Sequence, residues 1–490
     1  MKERRIIDWL EKRSRTDADK LFVMDQHRSM TYGKFYGCML RKAWGLSKAG
    51  VSREDRVVLL LEHGIDHLIS YFACMHIAAV PVNLSISKPA KGVEDAARVT
   101  SAKYCIVKGY PGDLSRLQAQ VLPYDEVHSS EKLETRGECS IAYMMFTSGT
   151  TGAPKAVITS HQNTVATASS ILDFTGMKKT DRELISLPLS FTFGLGHIHA
   201  LIMAGGEAFL TNRRYDTSYL TGAIAEVNAT GFLASPAMLR EMVAECESEF
   251  EEAGKHLRYV VVNCTPMEVS LTRRLLQLLP NTQFYMYYGM TEASRCAYIH
   301  YNKNLNRLDF TGRRALNVEL KIEHPDSAGV GEICMRGPNV MPGYWNAPEE
   351  TKKIIDDEGW IHSGDLGIMD KDGYIKVLGR INDQISVDGM KCQPMEVERV
   401  IGELPYVKQA AVCGIPDKDK FQVVGAAVIL NNEARPHSVI PAIQKHCASL
   451  LEAYKIPVLI KLADKFPANE LGKVNRKKLA SLIRQTVDAI

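Results

Sequence analysis

Phe146-Thr-Ser-Gly-Thr-Thr-Gly-Ala-Pro-Lys155, preceded by the apolar run Ile141-Ala-Tyr-Met-Met145, decides how the rest of the chain is read. The run has the character of a buried strand. The string after it places the hydroxyls of Thr147, Ser148, Thr150 and Thr151 beside Gly149 and Gly152, so that backbone amides and side chains can approach phosphate oxygens, and Lys155 adds a positive charge. The loop is a phosphate cradle by composition. It is not the Walker A pattern, because Gly149 and Gly152 stand too close together and Lys155 follows Ala-Pro instead of Gly. A surface turn accounts for any two of these residues but not for the whole string.

Working outward, short β-branched runs alternate with helical patterns. A helix near Thr31 to Ala49 precedes the run from Arg56, and an apolar helix follows around His67 to Ile77. Further runs lie at Lys103 to Val107, Leu184 to Leu187, Ala208 to Thr211, Gly231 to Ala234 and Tyr259 to Val262. This alternation is that of parallel βαβ units, so the fold class is α/β. After about residue 310, closely spaced glycines separate short strands and predict a β-rich subdomain. Helices return at Pro394 to Ile401, His437 to Leu451 and Arg476 to Ala489. The expected division is a large N-terminal domain, 1–381, of parallel-sheet α/β subdomains plus the β-rich subdomain, then a small α+β C-terminal domain, 382–490.

The chain has 490 residues, 45% of them hydrophobic and 24% charged, enough to bury a large core in at least two domains. Its formal charge of +3 supplies no field for nucleic acid or an anionic membrane. The 11 cysteines include no C-x-x-C pair, which reads as reduced thiols in a cytoplasmic protein. The N-terminus lacks the unbroken apolar core of an export signal. From Leu184 to Gly206 no residue is charged, but Pro188, His197 and His199 interrupt the segment and predict a buried strand, turn and helix instead of a membrane span.

The string TSGTTGAPK resembles the adenylate-forming superfamily, which comprises acyl- and aryl-CoA ligases, stand-alone adenylation domains and luciferases. Later motifs match in order: Tyr288-Gly-Met-Thr-Glu292, Gly331-Glu-Ile through Gly343-Tyr-Trp-Asn, Gly359-Trp-Ile-His-Ser-Gly-Asp365, Gly379-Arg380 through Gly389, and Asn469-Glu-Leu-Gly-Lys473. The resemblance is greatest to an acyl- or aryl-CoA ligase. It implies that ATP and Mg²⁺ are used to join AMP to a carboxylic acid, expelling pyrophosphate, and that a thiol, coenzyme A, then displaces AMP. Negative charge gathers around the α-phosphate in such a reaction, so cations and fixed dipoles are needed there.

Residue by residue, the resemblance implies ATP binding by Thr147, Ser148, Gly149, Thr150, Thr151, Lys155, Tyr288, Asp365 and Arg380. Tyr288 would stack on adenine, Asp365 would accept the ribose hydroxyls, and Arg380 would touch ribose or phosphate. Glu292 would hold Mg²⁺ and Thr291 would donate to the α-phosphate. Lys473 would reach from a mobile small domain to the carboxylate and α-phosphate oxygens, then swing away to admit the thiol. Rotation would centre on Asn382, where relatives usually carry Asp or Lys; Ser386, where Lys often stands, is a second departure. Gly389 would let a pantetheine arm pass close to the backbone.

The acid-binding pocket is expected from Phe191, Thr192, Leu195, His197, Ser235, Cys264 and Gly289. Amino-acid-activating relatives place an Asp where this chain has Thr192, so an α-amino acid is not expected. Phe191, Phe193 and Leu195 favour an aryl or acyl group, and His197 can hydrogen-bond a hydroxyl or carbonyl or serve as a satisfied buried imidazole. Cys264 and Thr265 narrow the slot. The competing readings are an adenylation enzyme that loads a carrier protein in trans and, further off, a non-catalytic nucleotide-binding protein of the same fold. The second would be expected to lose its charged groups, yet Lys155, Glu292, Asp365, Arg380 and Lys473 are all present.

Overall fold

The computed structural model describes residues 4–133, 137–147, 154–213, 216–263, 267–417, 421–431, 438–468 and 474–484. The chain falls into two compact units, Met1–Leu320 with Met335–Ile361, and Lys321–Cys334 with His362–Ile490.

The first unit is built on parallel strands, as the alternating pattern predicts. In one sheet Leu21–Met24, Glu207–Leu210, Arg182–Ile185, Gly231–Ala234, Tyr259–Val262 and Gln283–Tyr288 run parallel, in that order. In the other, Ile141–Phe146, Val80–Asn83, Arg56–Leu60, Tyr104–Val107 and Gln120–Pro123 run parallel, with Ala156–Ser160 antiparallel beside the first of them. Strands such as Val80–Asn83 and Tyr259–Val262 are buried throughout, which is why they read as unbroken apolar runs and not as alternating ones.

Parallel register aligns the C-terminal ends of the strands, where open α/β sheets carry their sites. Ala234 leads into Ser235, whose hydroxyl caps the helix Pro236–Glu245 with proline at its first turn. Ile185 leads through Pro188 to the helix Thr192–Ala204, and Tyr288 leads to Gly289. Segments far apart in sequence thus emerge at one edge. The uncharged stretch after Leu184 is a buried helix preceded by a turn, and no helix among the described residues is long and apolar enough to cross a membrane.

The strand expected at Leu184 to Leu187 begins earlier, at Arg182, and that expected at Ala208 begins at Glu207. In each case a polar residue opens the strand. Glu183 is fully buried because His197 Nδ1 lies 2.9 Å from its Oε1.

In the second unit Ile361–Met369 pairs antiparallel with Tyr374–Arg380, opposing Asp365 to Arg380. Beyond it, Val407–Asp417 and Phe421–Leu430 form a long antiparallel pair joined by Ile385–Val387, Met390–Cys392 and Leu459–Leu462. Strand alternation splits the core in two: Val412 packs with Val397, Ile401 and Ile443, whereas Ala411, Cys413 and Ile415 pack with Leu479 and Ile483.

Arg476, mostly buried, ties the helix Arg476–Arg484 to this sheet. It pairs with Glu398 at 2.6 Å and Asp383 at 3.3 Å and also donates to the Val412 carbonyl. Removing one partner of such a pair strands the other, so Arg476→Met should lower stability by roughly 3 kcal/mol. A denaturant midpoint equal to that of the unaltered protein would contradict this.

Candidate active site

The site is built around the turn from Tyr288 to Arg295. Gly289 has no room for a side chain: a Cβ would lie 2.7 Å from the Arg295 nitrogen and 2.9 Å from the Ala293 oxygen. Met290 and Ala293 exchange backbone hydrogen bonds at 2.8 and 3.2 Å, and the Cys296 amide donates to the Tyr288 carbonyl at 2.8 Å. Thr291 and Glu292 therefore occupy the tip of a closed turn. A second segment braces it, since the Met341 amide donates to the Glu292 carbonyl at 2.8 Å and Ala293 bridges to Val340. The brace is itself anchored by Asn163, whose side-chain amide donates to the carbonyls of Pro338 and Val340.

Glu292 is buried, and its Oε1 accepts a 2.7 Å hydrogen bond from the Tyr344 hydroxyl. Burial and the adjacent carboxylate of Glu292 push the Tyr344 phenol upward, so it stays a donor. Thr192, Thr291, Glu292 and Ser294 line one polar recess together with Asn163 and Asn339. Lys155 lies 5.1 Å from the centroid of the Tyr344 ring and pairs with Glu350 at 2.5 Å. A carboxylate held by a neutral donor, bordered by hydroxyls and with an ammonium nearby, suits a divalent cation and phosphate oxygens. Glu292 is the residue there fit to hold Mg²⁺.

Lys155 and Gly389 each serve the folded chain in its own right. Lys155 is engaged by Glu350, so contact with any anion would require it to exchange that partner. Hydrogen bonds from Lys155 and then Lys353 pull the Glu350 carboxyl down to about 2. Gly389, together with Asp388, has positive φ, +79° and +50°, at the tip of the hairpin between Ile385–Val387 and Met390–Cys392. A two-residue hairpin turn needs that conformation, so glycine serves the turn whatever passes near it.

In the second unit Arg380 Nε lies 2.8 Å from Asp365 Oδ1, and Arg380 also donates to the Ser363 carbonyl at 3.0 Å. Gly364, at φ +70°, turns the strand and donates its amide to Glu332 at 2.8 Å. The same Glu332 lies 3.0 Å from His362 Nδ1, which is 3.4 Å from Cys334 Sγ. Asp365 is thus fixed by Arg380 with its backbone held from behind. Asn382 lies exposed in a 3₁₀ turn, Ile381–Asp383, with no left-handed torsion.

Of the expected pocket residues, Thr192 and Phe191 are half-buried, whereas Leu195 and His197 are wholly enclosed in the helix core. Tyr288 is half-buried at the end of a strand whose Tyr285 and Tyr287 are core. Ser235 is a helix cap. Burial lowers the His197 imidazole despite its Glu183 partner. Thr147 follows the strand Ile141–Phe146; Ser148, Gly149, Thr150, Thr151, Cys264 and Lys473 lie outside the described residues. Sequence reasoning did not find Tyr344, Glu350, Asn163, Glu183 or Arg295 as site residues. Tyr344 lay inside a quoted motif, but its pairing with Glu292 spans 52 positions and leaves no local signal.

Residues 10–345 match the family model of the AMP-binding enzymes, and 396–473 match the AMP-binding enzyme C-terminal domain. The chain is 30% identical to a 2-succinylbenzoate–CoA ligase of Geobacillus kaustophilus, over 98% of each chain. It is 26% identical to a feruloyl-CoA synthase of Amycolatopsis sp, over 97% of this chain and 98% of the relative. The o-succinylbenzoate CoA synthetase of Bacillus subtilis in complex with its acyl-adenylate intermediate superposes with a TM-score of 0.85 at 25% identity, covering 96% of this chain and 97% of that one. ATP-bound MatB from Rhodopseudomonas palustris, 22% identical, shares the fold at a TM-score of 0.89, with 99% of each chain covered. The chain belongs to the AMP-binding enzyme family, the adenylate-forming enzymes. It is an AMP-forming acid–thiol ligase that uses ATP and magnesium, with coenzyme A as co-substrate.

Replacing Lys155 by Met should raise the Glu350 carboxyl from about 2 toward the ordinary range while leaving the fold intact. Carboxyl-detected NMR titration checks this; an unmoved Glu350 would mean that Lys155 is not its main partner.

Proposed function

We propose that Glu292, Thr291 and Lys473 carry the adenylation of a non-amino aryl or short-to-medium acyl acid, and that 382–490 is the mobile domain delivering Lys473. The observation that carries this reading is the braced turn, which holds a buried carboxylate and a hydroxyl at the rim of one polar recess. A carboxylate oxygen of the acid attacks the α-phosphorus and pyrophosphate leaves; a thiol sulfur then attacks the acyl carbonyl and AMP leaves with that oxygen. Glu292 would hold Mg²⁺, which would supply charge neutralisation for the phosphates.

The remaining roles belong to this chain's own groups. Tyr344 keeps the Glu292 carboxylate oriented. Thr147, Ser148, Gly149, Thr150 and Thr151 cradle phosphate, and Tyr288 covers adenine. Lys155 leaves Glu350 for a phosphate oxygen. Asp365, aligned by Arg380, accepts the ribose hydroxyls. Phe191, Thr192, Ser235, Cys264 and Gly289 border the acid. Asn382, exposed in a short turn, is the pivot, and Gly389 flanks the thiol path. The acceptor is coenzyme A in solution; loading of a separate carrier protein is the second reading, and comparing product with each acceptor separates the two. The free thiols of the ten described cysteines favour a cytoplasmic location.

Lys473→Ala should slow acyl-AMP formation by at least ~100-fold while leaving ATP binding intact, because it removes a charge that acts as the α-phosphate reacts. Pyrophosphate release at an unchanged rate in that variant would remove Lys473 from the mechanism.

A further inference from the structure

Outside the recess, one cluster in the second unit has the composition of a metal site. Among the described residues, Glu332, Cys334 and His362 form the one group of three metal-ligating side chains whose ligand atoms all lie within 4.8 Å of one another. Glu332 and Cys334 stand two residues apart on one strand, so their side chains leave the same face, and His362 lies on the strand beside it. All three belong to the second unit, and none of them lines the recess around Glu292.

The spacing is that of a coordination shell. His362 Nδ1 lies 3.0 Å from Glu332 Oε2 and 3.4 Å from Cys334 Sγ. A tetrahedral zinc ion with ligand bonds of about 2.0–2.3 Å sets neighbouring ligand atoms about 3.3–3.6 Å apart, so both edges fall within about 0.4 Å of that shell. Glu332 is already oriented, because its Oε1 accepts the Gly364 amide at 2.8 Å while Oε2 faces the imidazole. Cys334 is buried, whereas the side chains of His362 and Glu332 are 31% and 23% exposed. Solvent therefore reaches the cluster from their side, and water can supply a fourth ligand.

Hydrogen bonding alone accounts for this crowding less well. Nδ1 carries at most one proton, which makes one linear hydrogen bond, yet a carboxylate oxygen and a sulfur both approach that nitrogen. A cation can face all three atoms at once. A thiolate and a carboxylate beside a neutral imidazole carry two negative charges, which balance a divalent ion. The sulfur favours zinc over magnesium, whose ligands are oxygens.

We propose that Glu332, Cys334 and His362 bind one divalent cation of the zinc class, with water completing the tetrahedron. On binding, the Cys334 thiol passes its proton to solvent as the sulfur–metal bond forms, so affinity rises with pH. Through Glu332 and the Gly364 amide, the ion would be tied to the strand that carries Asp365. The site is separate from the magnesium site at Glu292.

Full-length protein stripped with a chelator is titrated with Zn²⁺ against a chromophoric chelator and, separately, with Co²⁺. One equivalent of Zn²⁺ should bind, and Co²⁺ should develop a thiolate-to-cobalt charge-transfer absorption. Cys334→Ser should abolish that band and weaken Zn²⁺ binding by ~100-fold or more. Glu332→Gln, which keeps an oxygen for the Gly364 amide, should weaken it by at least ~10-fold. The cobalt spectrum of the unaltered protein and the affinity of Glu332→Gln decide the matter even if Cys334→Ser does not fold. No thiolate band in the unaltered protein, a band of full strength in Cys334→Ser, or unchanged Zn²⁺ affinity in Glu332→Gln overturns the proposal and leaves the three side chains as a hydrogen-bonded brace.

Discussion

The turn that converts the strand Gln283–Tyr288 into the strand Ala297–His300 is the constraint on which the site depends. It is tight enough at Gly289 to exclude any side chain and is closed by reciprocal backbone bonds between Met290 and Ala293. Four polar residues consequently share one scaffold: Thr291 and Glu292 at the tip, Ser294 behind them, and Arg295 folded under the helix Thr192–Ala204. Preorganisation of this kind matters because groups already in place need no reorganisation as charge develops on phosphate.

The charges around the turn are balanced in different ways. Glu292 is buried beside a neutral phenol and polar hydroxyls, an arrangement that leaves its carboxylate able to take a cation. Lys155, by contrast, already holds an acidic partner, Glu350, and within the second unit Arg380 holds Asp365. The Arg380 pairing fixes the orientation of the Asp365 carboxylate. The Lys155 pairing occupies the ammonium with Glu350. Among the described residues Arg295 has no such partner, which sets it apart from Lys155.

Most of the fold was legible because parallel strands buried on both faces announce themselves as apolar runs, and Val80–Asn83, Gly231–Ala234 and Tyr259–Val262 do so. Boundaries slipped where a polar residue opened a strand, as at Arg182 and Glu183, since burial of a charged side chain is decided by a distant partner. The motifs named Glu292, Thr291 and Asp365 directly. They did not reveal Tyr344 as the partner of Glu292 or Glu350 as that of Lys155, because tertiary contacts across 52 and 195 positions have no sequence periodicity. Arg295 read as an ordinary polar residue after a motif; only the enclosure by Gly196 and Tyr287 distinguishes it. Gly389 illustrates the opposite case, a glycine whose functional reading is matched by a local demand of the hairpin.

The central claim is that the acid passes through a mixed anhydride with AMP. Following ¹⁸O from a doubly labelled carboxylate through one turnover with ATP and coenzyme A tests it most directly. The account requires AMP to emerge carrying one ¹⁸O, derived from the bond between acid and α-phosphorus. AMP without label, or label in inorganic phosphate beside ADP, would contradict it.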